Sequence, residues 1–178
     1  TFGGFNFMEF YKDDKVIVNP LRVKTKYVNE LQHNMVLFYT GTSRESAKII
    51  DKQAKAINQQ EKNQIDATLK VKEQSIKMKE ALLKGELDKI GNILNVGWEY
   101  KKQMAEGITN PEIEQMYQTA MEAGAIGGKI SGAGGGGFMF FYCPNNTRFE
   151  VIKAISTLDI KVTPYEFAMS GLYSYSID

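Results

Sequence analysis

"KISGAGGGGF", residues Lys129–Phe138, is the stretch whose reading decides the fold. Seven of the sixteen glycines in the chain fall between Gly127 and Gly137. Glycine loses more backbone freedom on folding than any other residue, so such a run marks backbone that needs left-handed angles or a close approach. A tight connection between two elements needs only one or two glycines. Four in succession, Gly134–Gly137, with Lys129 and Ser131 just ahead, point to backbone packed against a ligand or another loop.

Two phosphate-binding patterns can be excluded by context. "GAGGGG", Gly132–Gly137, formally matches G-x-G-x-x-G, but a dinucleotide fingerprint needs a strand before the glycines and a helix after them. The pattern here predicts a helix before the loop and the strand "FMFFYC", Phe138–Cys143, after it. A P-loop requires Ser or Thr after its lysine, and Lys129 is followed by Ile130.

Outward from the loop, the periodicities predict an α+β chain. "FNFMEFY" (Phe5–Tyr11) and "VIVNP" (Val16–Pro20) read as a hairpin around the turn "KDDK". "NMVLFYTG" (Asn34–Gly41) reads as a buried central strand. Thr42 and Glu45 stand at capping-box spacing and start a helix reaching about Ile57. A second helix runs from Gln60 to Leu83, with Ile65, Leu69, Ile76 and Leu83 as its apolar positions and Gly85 as its stop. A third covers Leu87–Met104. A fourth begins at Pro111 and carries Ile113, Met116, Tyr117 and Ala120 on one side. After the glycine loop and its strand comes a helix bearing Phe149, Val151, Ile152 and Ile155. "KVTPYEF" and "GLYSYSI" are expected as closing strands.

Composition sets the bounds. With 178 residues, 43% hydrophobic and 24% charged, the chain suits one globular domain spanning 1–178 with a substantial core. A net charge of +1 gives no electrostatic case for nucleic acid, and no apolar run is long enough to span a bilayer. The single cysteine, Cys143, excludes an internal disulfide and suits a reducing, cytoplasmic setting. Because "TFGGFNFMEFY" already reads as a strand at the first residue, the chain is expected to be part of something longer.

"KISGAGGGG" resembles the third motif of the GHMP kinases. The resemblance extends over essentially all 178 residues through "GGFNFMEF", "LFYTGTSR", "NVGWEYKKQMAEGITNPEIEQMY" and "GAIGGKISGAGGGGFMFFY". Together these blocks resemble the branch of D-glycero-D-manno-heptose 7-phosphate 1-kinases, relatives of fucokinase-type enzymes, in its C-terminal half. The resemblance implies a ferredoxin-like domain, an antiparallel sheet backed by helices. It implies ATP and Mg²⁺, held mainly by an N-terminal half whose phosphate loop and catalytic aspartate have no equivalent here. It also implies that the third-motif loop lies against that phosphate loop, so Lys129, Ser131, Gly132, Ala133, Gly134 and Gly135 are expected nearest the nucleotide phosphates. Their role would be backbone N–H donation and close approach. Valine at Gly134 or Gly135 is then expected to damage turnover far more than stability. No catalytic residue and no metal ligand are expected in this half.

The other candidates are weighed residue by residue. Thr42, Ser43 and Arg44 fall where a strand passes into a helix N-terminus, open to capping or to contact with a sugar phosphate. Trp98 and Lys102 are four apart and share a helix face, which suits a core tryptophan with Lys101 and Lys102 snorkelling from it. Arg44 and Lys102 are nevertheless the cations available to an acceptor phosphate. His33 reads as a surface or packing residue, and Asp13 and Asp14 as turn residues. Two functions stay open: half of an ATP-dependent kinase for a sugar or sugar phosphate (heptose 7-phosphate, or fucose or galactose), and a non-catalytic ligand-binding module on the same scaffold. The kinase reading makes the chain's partner its own N-terminal domain. It predicts that the isolated half is inactive and self-associates through the uncovered docking face.

Overall fold

The computed structural model describes residues 2–41 and 46–175. The first two strands, β1 (Asn6–Phe10) and β2 (Val16–Pro20), pair antiparallel as a separate hairpin. After α1 (Thr25–Asn34) comes β3 (Met35–Tyr39). Four helices follow in a row: α2 (Ser46–Asn58), α3 (Lys62–Lys84), α4 (Leu87–Lys102) and α5 (Pro111–Glu122). The strands β4 (Gly127–Ile130) and β5 (Phe138–Tyr142), then α6 (Arg148–Ser156) and β6 (Val162–Thr163), close the chain.

The main sheet has the order β4-β5-β3-β6, with every neighbouring pair antiparallel. From β3 onward the chain therefore runs strand, helices, strand, strand, helix, strand, with the first and second strands parallel and β5 between them. That is the split β-α-β arrangement of a ferredoxin-like sheet, as expected.

Helices cover both faces of this sheet, which explains why β3 and β5 read as unbroken apolar runs. In β5, Met139 and Phe141 join one core cluster with Val36, Phe38, Trp98, Ile113, Met116, Val151 and Ile155. Phe140 and Tyr142 point the other way, into a second cluster built on Leu31, Leu82, Leu87, Ile90 and Leu94. The period of two divides one run of aromatics between two cores. Cys143 follows directly; its side chain is fully buried and its amide donates to the carbonyl of Asn34 at 2.7 Å. On α5 all four anticipated residues, Ile113, Met116, Tyr117 and Ala120, are buried, behind an Asn110 cap that accepts from the amide of Ile113 at 2.8 Å. Gly85 ends α3 in the left-handed conformation.

Four expectations need correction. The glycine loop is preceded by strand β4, not by a helix; the dinucleotide reading fails only because a second strand follows. Gly127 and Gly128 hid that strand. They are there for packing, since a Cβ on Gly127 would lie 1.9 Å from the carbonyl oxygen of Gly91, and one on Gly128 would meet the ring of Phe141 at 2.4 Å. Second, α3 buries Ala67, Gln74, Ala81 and Leu82 and leaves Leu69, Ile76 and Leu83 exposed, so small residues mark its inward face. Third, α1 was not anticipated: it spans ten residues and has no side-chain cap. Fourth, among the described residues of the expected closing strands only Val162–Thr163 forms, because Pro164 has no N–H for the ladder. Phe167 and Ala168 instead tie the chain back to its start, with Phe167 edge-on to Phe5 at 5.1 Å and the amide of Gly4 donating to Ala168 at 2.8 Å.

Candidate functional site

The glycine loop is anchored at both ends and in its middle. At the base, the amide of Ser131 donates to Phe138 at 2.8 Å, continuing the β4–β5 ladder. The carbonyl of Gly137 accepts from both the amide (2.8 Å) and the hydroxyl (3.1 Å) of Thr40, at the end of β3. Between them, Gly135 donates to the carbonyl of Ile108 at 2.8 Å. Gly132 and Gly134–Gly137 all have positive φ, between +75° and +135°. Such backbone is open to glycine and strained for residues with a Cβ.

Two parts of the loop differ in what they face. Gly134 is buried, and a Cβ there would come within 2.9 Å of the Cα of Ile108. Its close approach is thus to the protein's own backbone, and the Gly135 amide is already committed to Ile108. Gly134 and Gly135, expected near the phosphates, thus have their backbone turned toward Ile108. Ala133 is half-buried against the first core cluster. Gly132 is exposed, with no heavy atom within 4 Å of an added Cβ, and Ser131 beside it is exposed too. The outward side of the loop is therefore the stretch Ser131–Gly132.

One lysine reaches this outward side. Lys101, in the last turn of α4, donates through Nζ to the carbonyl of Gly132. Lys129, on β4 opposite Phe140, is half-buried. Burial first, and then the nearby charge of Lys129, pull the pKa of Lys101 down to about 8. Burial also lowers that of Lys129. Neither lysine forms an ion pair with an acidic group among the described residues. The acids nearby are taken by Lys102, which binds Glu99 at 2.8 Å and Glu114 at 3.3 Å and lies 5.9 Å over the Trp98 ring. Trp98 itself is fully buried and stacks on Tyr117 at 6.2 Å.

The remaining candidates are easily placed. Thr42, Ser43, Arg44 and Glu45 lie outside the described residues. Lys102 is paired with Glu99 and with Glu114 on α5. His33 faces Asn146 at 3.1 Å, at the far end of β3 from the loop. Sequence reasoning did not single out Ile108 or Thr40 as loop anchors; Ile108 acts through backbone, which leaves no residue-type signal, while Thr40 adds its hydroxyl to its backbone amide. Among the described residues no cluster of three or more His, Cys, Asp or Glu could hold a metal, and no helix is long and apolar enough to cross a membrane.

The ferredoxin-like sheet thus carries a five-glycine loop between its edge strand β4 and the neighbouring β5, and comparison with known proteins gives its family. Residues 78–158 match the family model described as GHMP kinases C terminal, and the chain carries a GHMP kinase C-terminal domain. It is 42% identical over 177 residues to the D-glycero-alpha-D-manno-heptose 7-phosphate kinase of Campylobacter jejuni, covering 99% of this chain and 52% of that protein. The crystal structure of a D-glycero-D-manno-heptose 1-phosphate kinase from Bacteriodes thetaiotaomicron is 36% identical with a TM-score of 0.65, covering 98% of this chain and 47% of that one. The bifunctional fucokinase/GDP-fucose pyrophosphorylase of Arabidopsis thaliana is more distant, 25% identical over 136 residues, or 76% of this chain and 13% of that protein. The chain thus spans about half the length of the heptose-phosphate kinases it matches.

Proposed function

We propose that this chain is the C-terminal part of a cytoplasmic, ATP-dependent kinase that phosphorylates the anomeric oxygen of D-glycero-D-manno-heptose 7-phosphate. The observation that carries this reading is the 42% identity to a heptose 7-phosphate kinase across 99% of the chain. The loop geometry supports it. A glycine-rich loop whose outward stretch carries only the small Ser131 side chain, held by Thr40 and Ile108, is suited to lie against a phosphate chain. Phosphoryl transfer depends on positioning and charge stabilisation, so such a loop contributes without a reactive side chain.

In this reading ATP lies between the outward stretch Ser131–Gly132 and an N-terminal domain that supplies the main phosphate loop and the base. Lys129 adds positive charge, while Ala133, Gly134 and Gly135 fix the shape of the loop. Mg²⁺ accompanies ATP with no ligand assigned in this chain. Arg44, shortly after Thr40 in the sequence, is the proposed bidentate partner of the acceptor phosphate. Lys102 has its charge engaged by Glu99 and Glu114, and its proposed part is to hold α4 against α5 beneath the site.

The test is steady-state kinetics of the full-length protein with ATP and either heptose 7-phosphate or L-fucose. Efficient, ATP-dependent use of heptose 7-phosphate is expected. Preference for fucose would move the protein to the fucokinase branch. Absence of ATP turnover with any sugar would leave the binding-module reading. Arg44→Ala should raise KM for the phosphosugar more than KM for ATP. The 178-residue chain alone should show no turnover and should self-associate.

A further inference from the structure

We propose that the cleft bounded by α1, β3, β6 and α6 is a binding site for a small organic monoanion, a carboxylate carried on an apolar body, with Arg148 as its charge partner. The cleft lies at the start of β3, the end of that strand opposite the glycine loop. None of its residues belongs to the loop, so the proposal stands apart from the kinase reading above.

The sequence opens this cleft at Pro164. β6 pairs with β3 only at Leu37 and Phe38, and Pro164 has no N–H with which to continue the ladder. Tyr165 follows and donates its hydroxyl to the carbonyl of Gln32 on α1 at 3.0 Å. The gap left beside the start of β3 has a volume of about 590 Å³, which is within the range of small-molecule sites. Leu37, Ile152, Val162 and Pro164 give it an apolar wall, while Asn29, Gln32, His33 and Arg148 give it a polar one.

Arg148 carries the inference. Its Nη1 donates to the carbonyl of His33 at 2.7 Å, which fixes that corner of the guanidinium. Its Nε is buried and has no hydrogen-bond partner. No acidic side chain pairs with it among the described residues, and no Asp or Glu lines the cleft. A guanidinium carries its charge permanently, so a buried N–H left unbonded on it costs more than one on a neutral group. The other buried side-chain nitrogen without a partner among the described residues, Nε1 of Trp98, is neutral and enclosed in the core.

The bond to His33 occupies Nη1. The edge formed by Nε and Nη2, which grips a carboxylate through two parallel hydrogen bonds, is therefore the one without a protein partner. A small turn of the guanidinium toward the cleft presents this edge, since Nε is covered as it stands. The count of charges then selects the ligand. One arginine and no lysine line the cleft, so a monoanion is balanced and a phosphate dianion is not. The apolar wall takes the hydrocarbon part.

The test uses the full-length protein with ¹⁵N-labelled arginine, the Nε–H resonance of Arg148 being assigned by its loss in Arg148→Lys. Octanoate and 4-phenylbutyrate should shift that resonance saturably, with a Kd of about 1 mM or tighter. Their primary amides and inorganic phosphate should bind at least tenfold more weakly. Ligand-observed NMR should show the same loss for the carboxylates in Arg148→Met. Because that variant also removes the bond to His33, Asn29→Glu is made beside it. Asn29 is exposed on α1 and lines the cleft, so the exchange leaves Arg148 in place and supplies a competing carboxylate. It too should weaken binding at least tenfold. Amides or phosphate binding as tightly as the carboxylates would overturn the proposal. So would an Arg148 resonance that ignores them, or unchanged binding in Asn29→Glu. Turnover of ATP plays no part in these readouts, so failure of the kinase reading would leave them standing.

Discussion

Gly127 and Gly91 meet backbone against backbone: a Cβ on Gly127 would stand 1.9 Å from the carbonyl oxygen of Gly91. This contact seats α4 on β4, and so sets how Lys101 reaches the glycine loop. Gly127→Ala should therefore cost about 3 kcal/mol or more, at the upper end for overpacked sites. Gly97, on the same helix, gives the opposite sign. Its nearest neighbours to an added Cβ are side-chain atoms of Gln74 at 3.8 Å, an ordinary contact, so Gly97→Ala should stabilise by about 0.5–1 kcal/mol. Urea unfolding of the two variants beside the wild type checks both directions.

Within the loop the two exchanges should separate stability from turnover. Gly134→Val places a branched side chain at φ +120° against the backbone of Ile108, and the fold should lose several kcal/mol, on the order of 3–5, combining strain with overpacking. Gly132→Ala meets open space and should cost only about 1–2 kcal/mol, from its φ of +91° alone. Its effect should appear instead in kcat/KM of the full-length enzyme. Equal melting temperatures for the two variants would contradict this division.

Asn110 is a conventional helix cap with a measurable value. Its side chain accepts from the amide of Ile113 at 2.8 Å, with Pro111 in the first turn. Asn110→Ala should cost about 1 kcal/mol, while Asn110→Asp or Asn110→Ser should be near neutral. Because Gly135 hangs from Ile108, two residues ahead of the cap, hydrogen exchange at the Gly135 amide should rise in the Ala variant.

The loop and the sheet were legible in the sequence to different degrees. Strands β3 and β5 announced themselves because both of their faces are buried, and α5 because Asn110-Pro111 and four apolar residues agree. Strand β4 did not, since the glycines that let α4 approach also erase its strand signature. On α3 the large residues Leu69, Ile76 and Leu83 drew the eye to the wrong face, while close packing against α4 selects Ala67 and Ala81. At the site, residue type alone pointed to the glycines and to basic residues. Which lysine turns toward the loop was not readable, because Lys101 and Lys102 are adjacent and only the positions of Glu99 and Glu114 separate them.

Lys101 should leave a signature in the pH dependence of stability. Its pKa is about 8 in the folded chain against an ordinary 10.5, so between those values the unfolded state binds more protons. Its charge therefore penalises the fold fully below pH 8, and the penalty fades as pH rises toward 10.5. Lys101→Met should be more stable than the wild type at pH 7, and the difference should shrink through pH 8–10.5. Cys143, Tyr142 and Tyr165, each pushed up to about 12 by burial, act in the other direction and destabilise both proteins as pH climbs past 9. The comparison is thus made between the two proteins at each pH, by thermal melting.

The burial of Cys143 gives this chain a built-in stopwatch. It is the only thiol in the sequence, its side chain has no exposed surface, and its amide is bonded across the sheet to Asn34. An alkylating reagent has one target and reaches it only when β5 parts from the cores on either side. Where reclosing outpaces alkylation, the labelling rate in native buffer is the intrinsic thiol rate scaled by the open fraction, read from a single mass increment. Anything that fastens the sheet slows that clock: a cap, a phosphate, or a second domain laid over the glycine loop.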